Sequence, residues 1–578
     1  MRLFLPAARL TLGVVLAAWA TPACYTSGNG SLPPISSFYF PTGLAVSRGG
    51  NVLYAINSDF DLQWSGGTLQ SYDLFQIRHD TAVLIQANLT GTAPASVASI
   101  PFVQPYTWAP GCQQSPPAPS SNGQGVELGE SCAPPVDATQ YVRDAAIIGA
   151  FATDLQLSNL NDGTRLFAPV AGSATVTWAD VGADDPSSGP SEPTTGTSFA
   201  PFALDCGIRS SDQRCNGDHQ VGNDPNSEHN TRNVTMPGEP FGMAQTQDGM
   251  AIAVTSETDT KTSLLTTGFG PDAIAAPNPT MQFVLDGLPV GGVGIAAIPH
   301  DPLAVRRCED VGNQPPCVRQ AFLETTRAAN EIDLLRYYDD DGSSLQRPFL
   351  NKDGSFAVTT NSAGSDSRGI VIDPSPRILC KRTATTDAQK LQCAQLPARV
   401  FVANRTPSTI VVGELGHLFD DGTYDPDSLS LVGNVPLTDG PSKVFIAPIV
   451  NAKGYYELRL FVVCYDTSSV FIYDPDTLGT PDAAPEAIVY TGPGPYALAF
   501  DPYTLDDVDG GVLDHIAKGT PVETDTRQTD VPIKKYRFAY LASFRDSFVQ
   551  VIDLDASSPE TFERVVFTLG QPTPPIGS

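Results

Sequence analysis

Several apolar runs end in short clusters of acids, amides and arginines, the residue types that orient polar ligands. Asn57, Asp59 and Asp61 follow one run, and Glu257 and Asp259 another. Asn404 with Arg405, Asp466 alone, and Arg545 with Asp546 close three more. Carboxylates accept and guanidinium groups donate in a fork, so together they could hold a small polar ligand. Asn, Asp and Ser at such corners also simply make turns, which is the plainer reading. Three acidic loops offer the alternating oxygen ligands and turn glycine that Ca²⁺ requires. They are Asp339 to Gly342 with Asp341, Asp420 to Gly422 with Asp425 and Asp427, and Asp506 to Gly510 with Asp507, Asp509 and Asp514. None carries the Glu that closes a twelve-residue EF-hand, and solvated turns again account for them. No other cofactor is expected.

For catalysis the chain offers little. His79, His219, His229, His300, His417 and His515 are scattered, and there is no Gly-x-Ser-x-Gly elbow, phosphate-binding Gly loop or His-Glu-x-x-His helix. A net charge of −29 with dispersed basic residues repels phosphate backbones and anionic headgroups, which argues against a nucleic-acid partner.

The cysteines and the N-terminus speak to compartment. Residues 1–24 read as an export signal, with Arg2 and Arg9 before an apolar Leu10–Ala20 core that is too short to span a bilayer. Cleavage can follow Ala23 by the ordinary route. Alternatively Thr21-Pro-Ala-Cys24 is similar to a bacterial lipoprotein signal, which would make Cys24 the lipidated first residue and residues 25–38 a flexible tether. The usual Leu three residues before the Cys is absent. Eight of the ten cysteines fall in near pairs, Cys112 with Cys132, Cys206 with Cys215, Cys308 with Cys317 and Cys380 with Cys393. No pair has zinc-knuckle spacing, so four local disulfides in an oxidising compartment are expected. Cys464, within Leu-Phe-Val-Val-Cys, reads as a buried strand thiol.

The elements that must position these groups are strands. The 578 residues include 51 Pro and 50 Gly, set between short apolar runs with no sustained helical period. Residues 40–74 state a phrase of three strands, Leu44–Val46, Val52–Ile56 and Thr68–Tyr72, and with its degenerate copies the phrase is matched seven times along the chain. The second copy is read with its first strand at Ala145–Thr153. Fourth, outer strands are read at Thr81–Leu89, Ser355–Thr360, Ala487–Tyr490 and Val565–Leu569. Repeated four-stranded units whose faces are buried by their neighbours describe an all-β propeller of seven blades. It would span residues 39–578, with long insertions at about 90–143, 182–238, 299–320, 373–398 and 501–536.

Pro41-Thr-Gly-Leu-Ala-Val, Leu53-Tyr-Ala-Ile-Asn57, Phe401-Val-Ala-Asn404 and Phe471-Ile-Tyr-Asp474 resemble the YVTN-type β-propeller repeat of bacterial surface and periplasmic proteins. The resemblance implies inner-to-outer strands A to D, with A–B and C–D connections on one face and B–C and D–A on the other. It places insertions 90–143 and 182–238 as D–A loops and the other three as A–B loops. It also gathers the polar corner residues on one face near the central channel. How the ring closes is open; Leu32–Tyr39 is read as a candidate closing strand.

The expected function is a non-enzymatic binding or scaffold lipoprotein of the cell envelope, outer-membrane-anchored or otherwise periplasmic or secreted. Its partner would be an envelope protein or a polar small ligand. It would work as a monomer and meet the membrane only through its N-terminal lipid. The rival is a hydrolase or lyase with a metal held in an acidic central channel.

Overall fold

Val, Ile, Phe and Tyr between Gly- and Asn-rich turns favour strands, and a strand apolar on both sides needs cover on both. The second strand of several phrases is of that kind: every residue of Val52–Asn57, Ala251–Ser256, Ala321–Thr326 and Phe538–Ser543 is buried. Sheets stacked radially around an axis supply the cover.

The computed structural model describes residues 30–573, apart from 91–94, 104–134, 161–162, 183, 185–201, 225–229, 231, 270–277, 340–347, 359–364, 439, 504, 506–509, 526 and 528–530. The export signal with Cys24, the Cys112–Cys132 pair, Asp341, Asp507 and Asp509 lie outside the described residues.

The chain forms seven blades of four antiparallel strands, A to D outward from the axis. Blade one is Pro41–Val46, Val52–Asn57, Thr68–Asp73 and Val142–Ile147. Blade two is Gln156–Leu160, Gly163–Val170 and Thr175–Val181, its outer position shared by Leu204–Asp205 and Gln220–Val221. Blade three is Pro240–Gln245, Ala251–Ser256, Lys261–Thr266 and Thr280–Asp286. Blade four is Gly292–Ala297, Ala321–Thr326, Glu331–Tyr338 and Phe349–Ala357. Blade five is Ser367–Asp373, Ala398–Asn404, Thr409–Leu418 and Tyr424–Pro436. Blade six is Pro441–Val450, Tyr456–Cys464, Ser469–Tyr473 and Ala487–Tyr490. Blade seven is Pro495–Phe500, Phe538–Ser543, Phe548–Asp553 and Arg564–Leu569. An apolar cluster fills each of the seven interfaces between neighbouring blades.

Crowding at the axis explains the Gly at the third position of several A strands, Gly43, Gly242, Gly294 and Gly369. Their pairing shifts register after the first residue, between Pro41 and Gly43, Gly292 and Gly294, and Ser367 and Gly369. A Cβ on Gly242 would lie 2.4 Å from the Val293 carbonyl oxygen, and one on Gly294 2.4 Å from that of Arg368. Neighbouring inner strands approach too closely there for a side chain.

Helices stand where some strands were expected. Thr81–Leu89 is not an outer strand but part of helix α1, Leu74–Thr90. The outer strand of blade one is Val142–Ile147, so Ala145–Thr153 does not open blade two, which begins at Gln156. The 90–143 insertion accordingly lies between strands C and D rather than between D and A, and residues 182–238 surround the two outer pieces of blade two. Helices α2 (Ser375–Thr383), α3 (Asp387–Ala394) and α4 (Val512–Lys518) lie in the A–B connections of blades five and seven.

The ring closes without a lent strand. Leu32–Tyr39 forms no strand; it is a strap laid on blade one, and Ser31 already bridges to Trp64. The chain is therefore docked well before residue 38. Phe38 stacks on Tyr72 at 4.8 Å, and Phe40 N–H donates to Ser547 Oγ of blade seven at 3.1 Å. On the opposite face, buried Arg78 of α1 reaches Asp501 of blade seven at 3.3 Å. Disulfides join Cys206 to Cys215, Cys308 to Cys317 and Cys380 to Cys393, with Cα separations of 5.2, 5.0 and 5.3 Å. Cys464 is a buried free thiol.

Candidate functional site

The B–C and D–A connections come together on one face of the disc, the channel face, and the A–B and C–D connections on the other, the insertion face. A cavity of about 160 Å³ follows the axis. Its wall is apolar, with Leu44, Met243, Ile295, Ile370, Val444 and Leu498 each from a different inner strand. The charged groups lining it are Asp154, Arg368 and Lys443. Among the described residues the expected acidic, metal-holding channel is represented by a single lining carboxylate, Asp154, which is paired with Lys443 at 3.1 Å. Among the described residues no three His, Cys, Asp or Glu side chains gather to hold a metal.

Around the mouth the charges satisfy one another. Arg327 meets Glu257 and, at 3.6 Å, Asp366, which also takes a two-pronged contact from Arg368 at 2.9 Å per arm. Arg405 pairs with Asp466 at 2.5 Å. Pairs with this much water access contribute at most about 1 kcal/mol each. The arc completed by blades seven, one and two is aromatic. Phe60, 56% exposed, packs on Phe544 at 5.3 Å and Phe151 at 5.8 Å. Tyr496 lies 5.7 Å from Phe544, and the Lys443 ammonium sits 4.8 Å above Tyr496.

The corner residues singled out in the sequence do reach this face, in several different roles. Asn57 and Asn404 close their own turns: Asn57 donates to Thr68 Oγ1 and Gln70 Oε1, both at 2.8 Å, and Asn404 donates to the Pro407 carbonyl at 2.9 Å. Asp61 accepts from the Tyr39 hydroxyl, and Asp259 from Gly238 N–H at 3.1 Å. Arg545 is exposed over the Tyr465 ring at 5.2 Å, and burial raises the carboxyl of its neighbour Asp546. Asp59 is the unusual member. It is buried with a left-handed backbone at φ +54°; its Oδ1 accepts from Trp64 N–H at 3.1 Å, and its Oδ2 has no hydrogen-bond partner among the described residues. Burial lifts it to about 7 against the pull of the Trp64 and Gly66 backbone donors.

The acidic loops do not form cation sites among the described residues. Asp339 accepts from the Tyr337 hydroxyl at 3.2 Å. Asp427 turns inward instead, between buried His300 at 2.6 Å and Arg336 at 2.8 Å. Burial alone would raise Asp427, but the His300 and Arg336 contacts outweigh it and hold it below its usual range. Asp421 caps its own turn through Thr423, and Asp514 binds Lys518 at 2.8 Å.

The insertion face carries groups that sequence reasoning missed. Arg377 of α2 is buried and clamps three segments by donating to carbonyls: Leu396, after α3, at 2.5 Å, Pro299 of blade four at 3.0 Å and Leu415 of blade five at 2.7 Å. Lys381 ties the same helix to Asp301 at 2.8 Å. Thr386 and Gln389 form a capping box at the start of α3, and Cys380–Cys393 staples the two helices. Around this clamp Leu303, Leu391, Leu396, Leu418 and Phe419 are exposed. Isolated exposed leucines are ordinary; several on mutually clamped segments point to a contact surface. The only hint in the sequence was the stapled cysteine spacing of the insertion.

No family model and no curated protein matches the chain. Solved structures similar to it include the periplasmic gluconolactonase PpgL of Pseudomonas aeruginosa, at 10% identity and TM-score 0.40, covering 78% of this chain and 86% of that one. A candidate 6-phosphogluconolactonase of Bacteroides uniformis has 13% identity, TM-score 0.39 and coverages of 81% and 91%. Kuenenia stuttgartiensis hydrazine synthase has 11% identity, TM-score 0.41 and coverages of 92% and 100%. Likeness at this level carries no argument about activity.

Proposed function

We propose that the protein is a non-enzymatic binding scaffold of the bacterial cell envelope, built on a YVTN-type propeller, exported by residues 1–24 and anchored through a lipid on Cys24. It acts as a monomeric platform without a cofactor, and its insertion face docks an envelope protein. The observation that carries this reading is the exposed patch of Leu303, Leu391, Leu396, Leu418 and Phe419 on segments clamped by Arg377 and stapled by a disulfide. A rigid apolar patch loses little ordering entropy on binding, the general route to affinity from a modest area. Asp387, Asp420 and Asp421 are exposed beside it, so the complementary partner offers an apolar core with a basic rim. Three disulfides among the described residues suit an oxidising compartment, and no described helix is long and apolar enough to cross a membrane.

The test is the size of the native complex in mild detergent extracts. Wild-type protein should migrate well above the mass of the single processed chain, which lies below the 61.2 kDa of the full sequence, and a Leu303→Ser, Leu391→Ser, Phe419→Ser variant with unchanged Tm should migrate as the free chain. Wild type running as the free chain would contradict the reading. Fatty-acid labelling and membrane association should both disappear in Cys24→Ser.

A further inference from the structure

The strap fixes where the chain leaves the disc. Ser31 bridges to Trp64, and its carbonyl accepts from Ser65 N–H at 3.0 Å. Gln70 Nε2 donates to the Ser37 carbonyl at 3.2 Å. From Ser31 onward the chain is therefore held on blade one, and Trp64 and Ser65 belong to the B–C connection of that blade, on the channel face. Seven residue steps separate Cys24 from Ser31, and fully extended they span at most about 25 Å. The insertion face lies farther away by the length of a blade strand, about 20 Å for six residues, and by the helices beyond it.

Beside this exit apolar side chains are exposed, and the charged pair there is self-neutralised: Arg214 donates to the Ser65 carbonyl at 3.0 Å and faces Asp212 at 3.7 Å. Leu32 is 51% and Ile35 42% exposed on the strap, and Phe60 is exposed in the same B–C connection as Trp64; Val290 is exposed on the same face at blade four. Lys443, Arg368 and Arg405 are neutralised by their ion pairs, and Asp59, next to Phe60, is held toward its neutral form. Such a surface suits the boundary between headgroups and acyl chains, where apolar side chains dip below neutral polar ones.

We propose, building on the lipid-anchor reading above, that the anchored protein lies channel face down, with Leu32, Ile35 and Phe60 against the lipid surface. The short link leaves Leu391 and Phe419 on the far side, turned away from the bilayer, which reserves that patch for a protein. The channel mouth then opens toward the membrane, so a polar ligand reaching it comes from the headgroup layer.

The lipidated full chain in phosphatidylcholine vesicles tests this, with a fluorophore at Gln63→Cys on the channel face or Lys390→Cys on α3, and a quencher attached to lipid headgroups. Quenching at position 63 should exceed that at position 390 several-fold, and a Leu32→Ser, Ile35→Ser, Phe60→Ser variant should lose most of the difference while still floating with the vesicles. Equal quenching at both positions, or stronger quenching at 390, in protein that floats would overturn the orientation while leaving the anchor intact. Failure of the wild-type chain to float would overturn the anchor, and the orientation with it.

Discussion

The two faces of the disc are built from the same seven repeats and hold themselves together differently. On the channel face the connections are short, apart from residues 222–239 between blades two and three, and charges meet in half-exposed pairs such as Arg405 with Asp466. On the insertion face long connections fold into helices, are stapled by Cys308–Cys317 and Cys380–Cys393, and bury whole guanidinium groups, Arg78 beside Asp501 and Arg377 among three carbonyls. Buried charge is costly unless every partner is in place, so the insertion face is rigid where it is complete and fragile to single deletions. The half-exposed ion pairs of the channel face tolerate substitution because water can replace a lost partner there. A face that must keep one shape to dock a protein gains from the first arrangement, and a face that rests on a soft surface does not need it.

That contrast predicts unequal mutational costs. Arg78→Ala should be the most damaging change, because it leaves Asp501 buried without its cation where blades one and seven meet; a loss of about 3–5 kcal/mol in denaturant unfolding is expected. Replacing Cys380 and Cys393 by Ser opens a crosslink with a sequence separation of 13, and about 3 kcal/mol should be lost, read as a lower Tm and faster proteolysis at α2 and α3. Arg405→Ala on the channel face should cost less than about 1 kcal/mol. A channel-face cost as large as that of Arg78→Ala would erase the distinction.

The smallest effect is a pH dependence. Asp59 has its folded pKa raised to about 7, above the ordinary unfolded value of about 3.9. Between those pH values the folded state keeps a proton that the unfolded state has lost, so stability falls as pH rises through that window and levels off above it. Asn tolerates the left-handed backbone at this position and does not titrate. Asp59→Asn should therefore narrow the Tm difference between pH 5 and pH 8. Some difference remains, because burial also raises Glu324 to about 8 and Glu563 to about 7. An unchanged difference would show that Asp59 is already ionised in the folded protein.

The ring of blades was legible because each apolar run with its turn is a local signal, as in Val52–Asn57 or Phe401–Asn404. Helix α1 was not. Leu74, Ile77, Val83, Leu84, Ile85 and Ala87 are all buried, as are Arg78, Asp80 and Thr81, so no polar stripe marks a helical period. β-branched residues in Thr81–Leu89 then imitate a strand. The pairing of Thr68–Asp73 with Val142–Ile147 crosses some seventy residues, a distance at which no turn announces the partner. The corner residues were placed on the correct face by the repeat, but whether Asn57 serves a ligand or its own turn depends on Thr68 and Gln70, which only the fold brings to it. Arg377 was invisible for a related reason: its three partners are backbone carbonyls, which carry no sequence signature.

Photo-crosslinking from both faces in the same living cells addresses the division of labour most directly. With a crosslinking side chain in place of Leu391, the account predicts one discrete protein adduct, lost when Leu303 and Phe419 become Ser. In place of Gln63, it predicts no protein adduct and attachment to lipid. A protein adduct from position 63 together with none from position 391 would contradict the account.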